Sequence, residues 1–347
     1  MYAMISDAQR NEEKMLRKYH GLVNEDMGEP DGVMISDGSG FPKKGEDPAG
    51  VSGQYCGSLG KAENCQVGVF AAYASPEGYA FSDKRLSVPE VWSDDEHPKK
   101  REKTKFPEDI AFKTKPRLAA EMFEKIMNEG IIPVRFAEAD PICGGSDDFR
   151  RAAEAYPEIT YFLQITSDTL CRLRQPGTGT ETYRYRQENR SEKVIARGEK
   201  SPVRVDGLAK GLHDVFRYRR TVSEGSEGPV GYGSAKRQVI LSRSGLPDRT
   251  VRLVMERTPD RKRYRYHIGN APPGTRLPTF VRLSGIRRAI EQCFGETKSG
   301  LGTDHCEVRK YPGRNHHMLT CMPAHFFLWH LRIRPGEKNS VHYSVTA

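Results

Sequence analysis

The stretch CQVGVFAAYAS, residues 65–75, is apolar at nearly every position, and it constrains the fold more than any other part of the chain. A strand with one wet face alternates apolar and polar residues, so a run without alternation must be covered on both sides. A Pro-Glu-Gly turn at 76–78 leads into a second strand-like segment, GYAFSDKRLSVP, residues 78–89. Two such strands require helices over the faces of a sheet. Those helices follow. In RLAAEMFEKIMNEG, residues 117–130, Leu118, Met122, Ile126 and Met127 share one stripe, and Gly130 suits a helix end. SDDFRRAAEAY, residues 146–156, reads as a capped helix. With strands at 32–37, in IIPVRFAEAD (131–140) and at 159–165, the order before residue 166 is strand, strand, strand, helix, strand, helix, strand. This predicts an α/β fold, a mixed sheet flanked by helices. Residues 7–20 read as a short charged helix too polar for a core, and 93–109 as a charged loop.

Composition shifts between about 167 and 277, where Tyr-Arg alternation (TYRYR, 182–186), Val-x-Val stretches and Gly-rich turns predict short antiparallel strands in a β-rich insertion. The Tyr-Arg pattern there and in RKRYRYH (261–267) suits either a nucleic-acid grip or an ordinary half-buried strand. The chain then returns to helix: one over 277–302, with an apolar stripe of Ile286, Ile290, Cys293 and Phe294, and another over roughly 314–333.

With 36% hydrophobic and 29% charged residues, the surface is polar, and no run of about 18 apolar residues exists to span a membrane. The N-terminal sequence lacks a signal peptide's apolar core, which predicts a cytoplasmic protein. A net charge of +9 favours a polyanionic partner. Seven scattered cysteines form no CxxC pair, so reduced thiols are expected rather than disulfides or a zinc cluster. The adjacent His316 and His317 point to different sides of a helix, which argues against a metal pair.

Three carboxylates stand out. Asp37 ends an apolar run and is followed by GSGFPKKG; Asp140 ends another and is followed by Pro and Gly. The glycines and lysines after Asp37 do not form a phosphate loop, because the G-x-x-x-x-G-K-[ST] spacing is absent. Strand ends commonly carry aspartate as a turn former, so each alone is weak. Glu291, however, lies four residues after Arg287 and seven before Lys298. That spacing sets a carboxylate between two cations on one helical face.

The blocks DGSGFPKKG, GKAENCQVGVF, FKTKPRLAAEMFEK, EADPICGGS, GIRRAIEQCFGETKSGLG and HCEVRKYPGRNHHMLTCMPAHFFLWHLRI carry a wider likeness. Over residues 32 to 334 the chain resembles the DDE transposases of bacterial insertion sequences. The group it resembles is the insertion-sequence-701 kind, in the insertion-sequence-4 superfamily, with a Y-R-E-K signature and a β-rich insertion before the glutamate. The resemblance implies an RNase H-like core (31–166 and 278–335) interrupted by the insertion (167–277), with an N-terminal helical remnant (1–30) and a tail (336–347). It implies Asp37, Asp140 and Glu291 as catalytic, metal-holding residues for Mg²⁺, with Mn²⁺ as the alternative; hard oxygen ligands are what Mg²⁺ takes. Arg287, Lys298, Lys43, Lys44 and Arg309 would contact DNA phosphates. The partner would be double-stranded DNA, at transposon ends and target, bound by a homodimer on paired ends at the nucleoid, with no membrane. The activity implied is cleavage at element ends and transfer of the 3′-hydroxyl. The alternatives are a nuclease that only hydrolyses and an inactive DNA-binding relic.

Several positions depart from the family pattern. Ser284 stands for the signature tyrosine, Arg288 and Arg314 for tryptophan, Cys143 and Cys306 for tyrosine, and Pro323 for leucine inside the last helix. Only about 30 residues precede the first strand, where the family places an end-binding helical region. Backbone-directed, salt-sensitive DNA binding is the expectation that follows.

Overall fold

The computed structural model describes residues 11–92, 98–185, 188–212, 216, 218–225 and 228–333. The chain forms two compact units, Met1–Ile159 with Ile286–Ala347, and Thr160–Gly285.

In the first unit the long strand β3 (Lys61–Ser75) is the axis of the sheet. Every residue from Cys65 to Ser75 is buried, as a strand without alternation demands. Antiparallel to it run β1 (Val33–Pro42, with Asp37 opposite Phe70), β2 (Ser52–Cys56) and β4 (Gly78–Ser87). Parallel to β1 lies β5 (Phe136–Ala139), in register from Val33↔Phe136 to Ser36↔Ala139. Around the sheet stand α1 (Glu12–Met27), α2 (Pro98–Lys103), α3 (Lys115–Glu129), α4 (Pro141–Gly144) and α5 (Asp147–Glu154). Thr114 caps α3, and Gly130 ends it at φ +60°, the left-handed conformation glycine adopts without penalty.

Three expectations change. The N-terminal helix reaches Met27 and buries Leu16, Tyr19, His20, Val23 and Met27, with Tyr19 Oη donating to the Phe81 carbonyl at 2.6 Å. It is a core element, because its apolar stripe continues beyond residue 20; residues 7–10 lie outside the described residues. Part of the charged loop is helical: α2 is pinned by Arg101, which donates to the carbonyls of Trp92 and Pro107, both at 2.6 Å.

The second unit is β-rich. Strands β6 (Thr160–Ile165), β7 (Leu170–Arg172), β10 (Val203–Arg204), β11 (Tyr218–Gly225), β12 (Gly228–Arg243), β13 (Leu246–Arg257) and β14 (Tyr264–Gly269) pair antiparallel, and β8 (Thr178–Tyr185) pairs separately with β9 (Glu188–Ile195). A two-residue turn joins β12 to β13, with Ser244 and Gly245 at φ +48° and +82°; positive φ at both positions matches the twist of a hairpin. Helix α6 (Val205–Gly211) and α7 (Leu277–Ile286) complete the unit. Its core includes Phe162, stacked on His267 at 4.5 Å and packed against Phe280. The two Tyr-Arg segments differ: Tyr266 on β14 is buried with Arg265 outside, an ordinary strand, whereas Tyr183 on β8 is exposed. Arg186 lies outside the described residues.

The third correction is a break in the helix expected over 277–302. It ends at Ile286 and restarts as α8 (Arg288–Leu301), because the turn at Arg287 tightens, with Ile290 N–H donating to the Arg287 carbonyl at 3.2 Å. The last helix, α9 (Tyr311–Ile333), runs through Pro323.

Candidate active site

The parallel register that ends at Ser36↔Ala139 puts Asp37 and Asp140 next in line on adjacent strands, which are spaced about 4.8 Å apart in such a ladder. Backbone donors fix both carboxylates. Asp37 Oδ1 accepts the Gly38 N–H at 2.7 Å, and Asp140, N-cap of α4, accepts the Cys143 N–H at 2.9 Å. Burial raises the pKa of Asp37 and the neighbouring charge of Asp140 raises it further, against the opposing pull of Arg287.

Arg287 occupies the break before α8 and reaches β1, where Nη2 donates to Asp37 Oδ2 at 2.9 Å. Burial works against its charge, but Asp37, Glu138 and Asp140 together hold its pKa above the usual value. Lys298, later on α8, also reaches β1: Nζ donates to Ser39 Oγ at 2.8 Å and sits 5.2 Å over the Phe41 ring. Glu291 is exposed on α8, on the stripe that continues to Lys298.

The structure therefore brings Asp37, Asp140 and Arg287 together, with Lys298 anchored two residues farther along β1. Among the described residues, no three His, Cys, Asp or Glu side chains stand close enough to hold a metal ion, so Glu291 is not drawn in with the aspartates. The aspartate pair by itself fits Mg²⁺, which commonly takes one or two carboxylates with water and phosphate oxygens. Its mutual repulsion, the component of Asp37's raised pKa that comes from Asp140, is what a divalent cation would relieve.

The other expected phosphate contacts are dispersed. Lys43 Nζ donates to the Cys306 carbonyl, Arg309 pairs with Asp47 at 3.3 Å, and Lys44 is exposed. One acidic neighbour escaped the sequence reading. Glu138 is buried on β5, two residues before Asp140, and bears on Arg287. The alternation in Phe-Ala-Glu-Ala-Asp, which sets residues two apart on one face, was its signal.

The departures from the family pattern sit in demanding places. Ser284 Oγ donates at 2.6 Å to Glu256, a buried carboxylate whose pKa burial pushes up to about 6. Arg314 is 2% exposed, donates to Gln66 Oε1 at 3.3 Å, and has its pKa pulled down to about 10 by burial. Cys143 is buried beside Asp140, and burial raises its thiol pKa.

The family model of the DDE superfamily endonucleases matches residues 1–229, a span that contains Asp37 and Asp140 and ends before Glu291. No curated protein matches the chain. Among solved structures, it is similar to a piggyBac transposase synaptic complex with hairpin DNA, at 10% identity and a TM-score of 0.35. That likeness covers 88% of this chain and 55% of the transposase chain. On the strength of the family match over most of its length, the chain belongs to the DDE superfamily endonucleases.

Proposed function

We propose that this endonuclease is a DNA transposase of the insertion-sequence-701 kind, which cleaves at element ends and transfers the 3′-hydroxyl into target DNA. The observation that carries the reading is the side-by-side placement of Asp37 and Asp140 at parallel strand ends, inside the span matched by the family. Divalent ions, Mg²⁺ or Mn²⁺, would supply Lewis-acid polarisation of the phosphodiester and a more acidic attacking hydroxyl when bound. Asp37 and Asp140 would hold them, with Glu291 on α8 as the third carboxylate. Arg287, already placed between three carboxylates, exchanges part of that pairing for a phosphate oxygen, with its planar fork suited to two at once. Lys298 and Lys44 would meet the DNA backbone, and Lys43 and Arg309 would join them by exchanging the Cys306 carbonyl and Asp47 for phosphate. The partner is double-stranded DNA, engaged by a homodimer on paired ends at the nucleoid.

Purified protein incubated with end-containing DNA and Mg²⁺ should give nicked and joined products, and Asp37→Ala or Asp140→Ala should give neither. Identical products from wild type and variants would overturn the catalytic assignment. Nicks without joined products would reduce the activity to hydrolysis. A second reading, a copy that binds DNA without cutting it, is favoured by the buried Arg314 and by Pro323 within α9. It requires binding indifferent to both Mg²⁺ and the aspartates.

A further inference from the structure

A pocket of about 130 Å³ opens beside the aspartates, lined by Asp37 and Asp140 together with Gly38, Tyr55, Lys115 and Ile142, among others. Tyr55 and Ile142 are 65% and 56% exposed, two large apolar side chains left in water at the mouth of an acidic site. Tyr55 faces Ala62 across the β2–β3 ladder, too small a neighbour to cover its ring. The wall is bare backbone at Gly38 and at Gly57, where an added Cβ would meet nothing closer than 3.7 Å. Lys115, at the first position of α3, has no carboxylate within salt-bridge reach among the described residues. One lysine, a flat approach over glycine and two apolar groups match a ligand with an anionic end and a planar apolar end. The volume excludes a duplex.

We propose that this pocket is a subsite for one unpaired nucleotide next to the scissile phosphate. Tyr55 and Ile142 take the base between them, and Lys115 meets its phosphate. The inference rests on the proposed function, since the nuclease reading supplies the nucleic acid. A base inside a duplex is stacked on both faces and cannot occupy such a site, so the ligand must be a frayed, flipped or single-stranded nucleotide.

The test uses the full chain in EDTA, so that no cleavage intervenes, with a blunt duplex and the same duplex carrying a short unpaired tail that contains 2-aminopurine. Wild type should bind the tailed duplex on the order of tenfold more tightly than the blunt one, the expected scale for stacking one base. The 2-aminopurine emission should change on binding, as stacking requires. Tyr55→Ala should lose both the preference and the emission change, and Tyr55→Phe, which keeps the ring, should retain both. Unfolding curves matching wild type confirm that both variants are folded. Equal affinities of wild type for the two DNAs, or a preference that survives Tyr55→Ala, would overturn the subsite and leave the nuclease reading standing. No binding of either DNA would overturn both.

Discussion

Glu256 is the side chain whose protonation the fold most plainly sets. It is buried on β13 and accepts a hydrogen bond from Ser284, and burial raises its pKa from the ordinary 4.5 to about 6. A carboxylate raised in the folded state favours folding while it is protonated. Its contribution is therefore complete below pH 4.5 and is lost as pH climbs through 6. The gap between those values corresponds to about 2 kcal/mol. Denaturant unfolding of wild type and Glu256→Gln at several pH values from 4 to 7 should show the wild type losing about that amount relative to the variant. Parallel curves would show that Glu256 titrates normally. At this scale the sequence exposed Asp37 and Asp140, because each closes an apolar run, and flagged Ser284 and Arg314 as foreign to their positions. Neither Glu256 as Ser284's partner nor the depth at which Arg314 lies was visible, since both depend on neighbours 28 and 248 residues away.

Among the elements, α9 carries the clearest internal conflict. It is 23 residues long and contains Pro323, which cannot donate to the Leu319 carbonyl and crowds the preceding turn. Pro323→Leu should stabilise the protein by about 3 kcal/mol, read as a higher melting temperature; no rise would mean that α9 already accommodates the ring. The elements most legible from sequence were those whose pattern is local: β3 by its unbroken apolar run, β4 by the preceding turn, α3 by its stripe and Gly130. The break at Arg287 was hidden because GIRRAIEQC keeps helical periodicity across it. What distinguishes that position is the tightened turn, together with the pull of three carboxylates on its guanidinium.

For the whole molecule, the net charge of +9 favours a polyanionic partner but does not say where it would lie. Lys43 and Arg309 are occupied by groups of the protein itself, whereas Lys44 remains exposed beside the strand that carries Asp37. If DNA follows that edge, Lys44→Ala should lower the slope of log affinity against log salt by about 0.9, one phosphate's worth of released counterions. An unchanged slope would place the backbone elsewhere. No helix among the described residues is long and apolar enough to cross a membrane.

The two aspartates owe their meeting to four rungs of ladder between β1 and β5. A lengthened connection between Gly130 and Phe136 would leave that meeting intact. One residue added within Phe136–Ala139 would turn Asp140 to the opposite side of the sheet and bring Glu138's face round with it. The lead-in to β5 can thus change in length, while the count of residues inside it is as tightly constrained by the ladder as the carboxylates are by their chemistry.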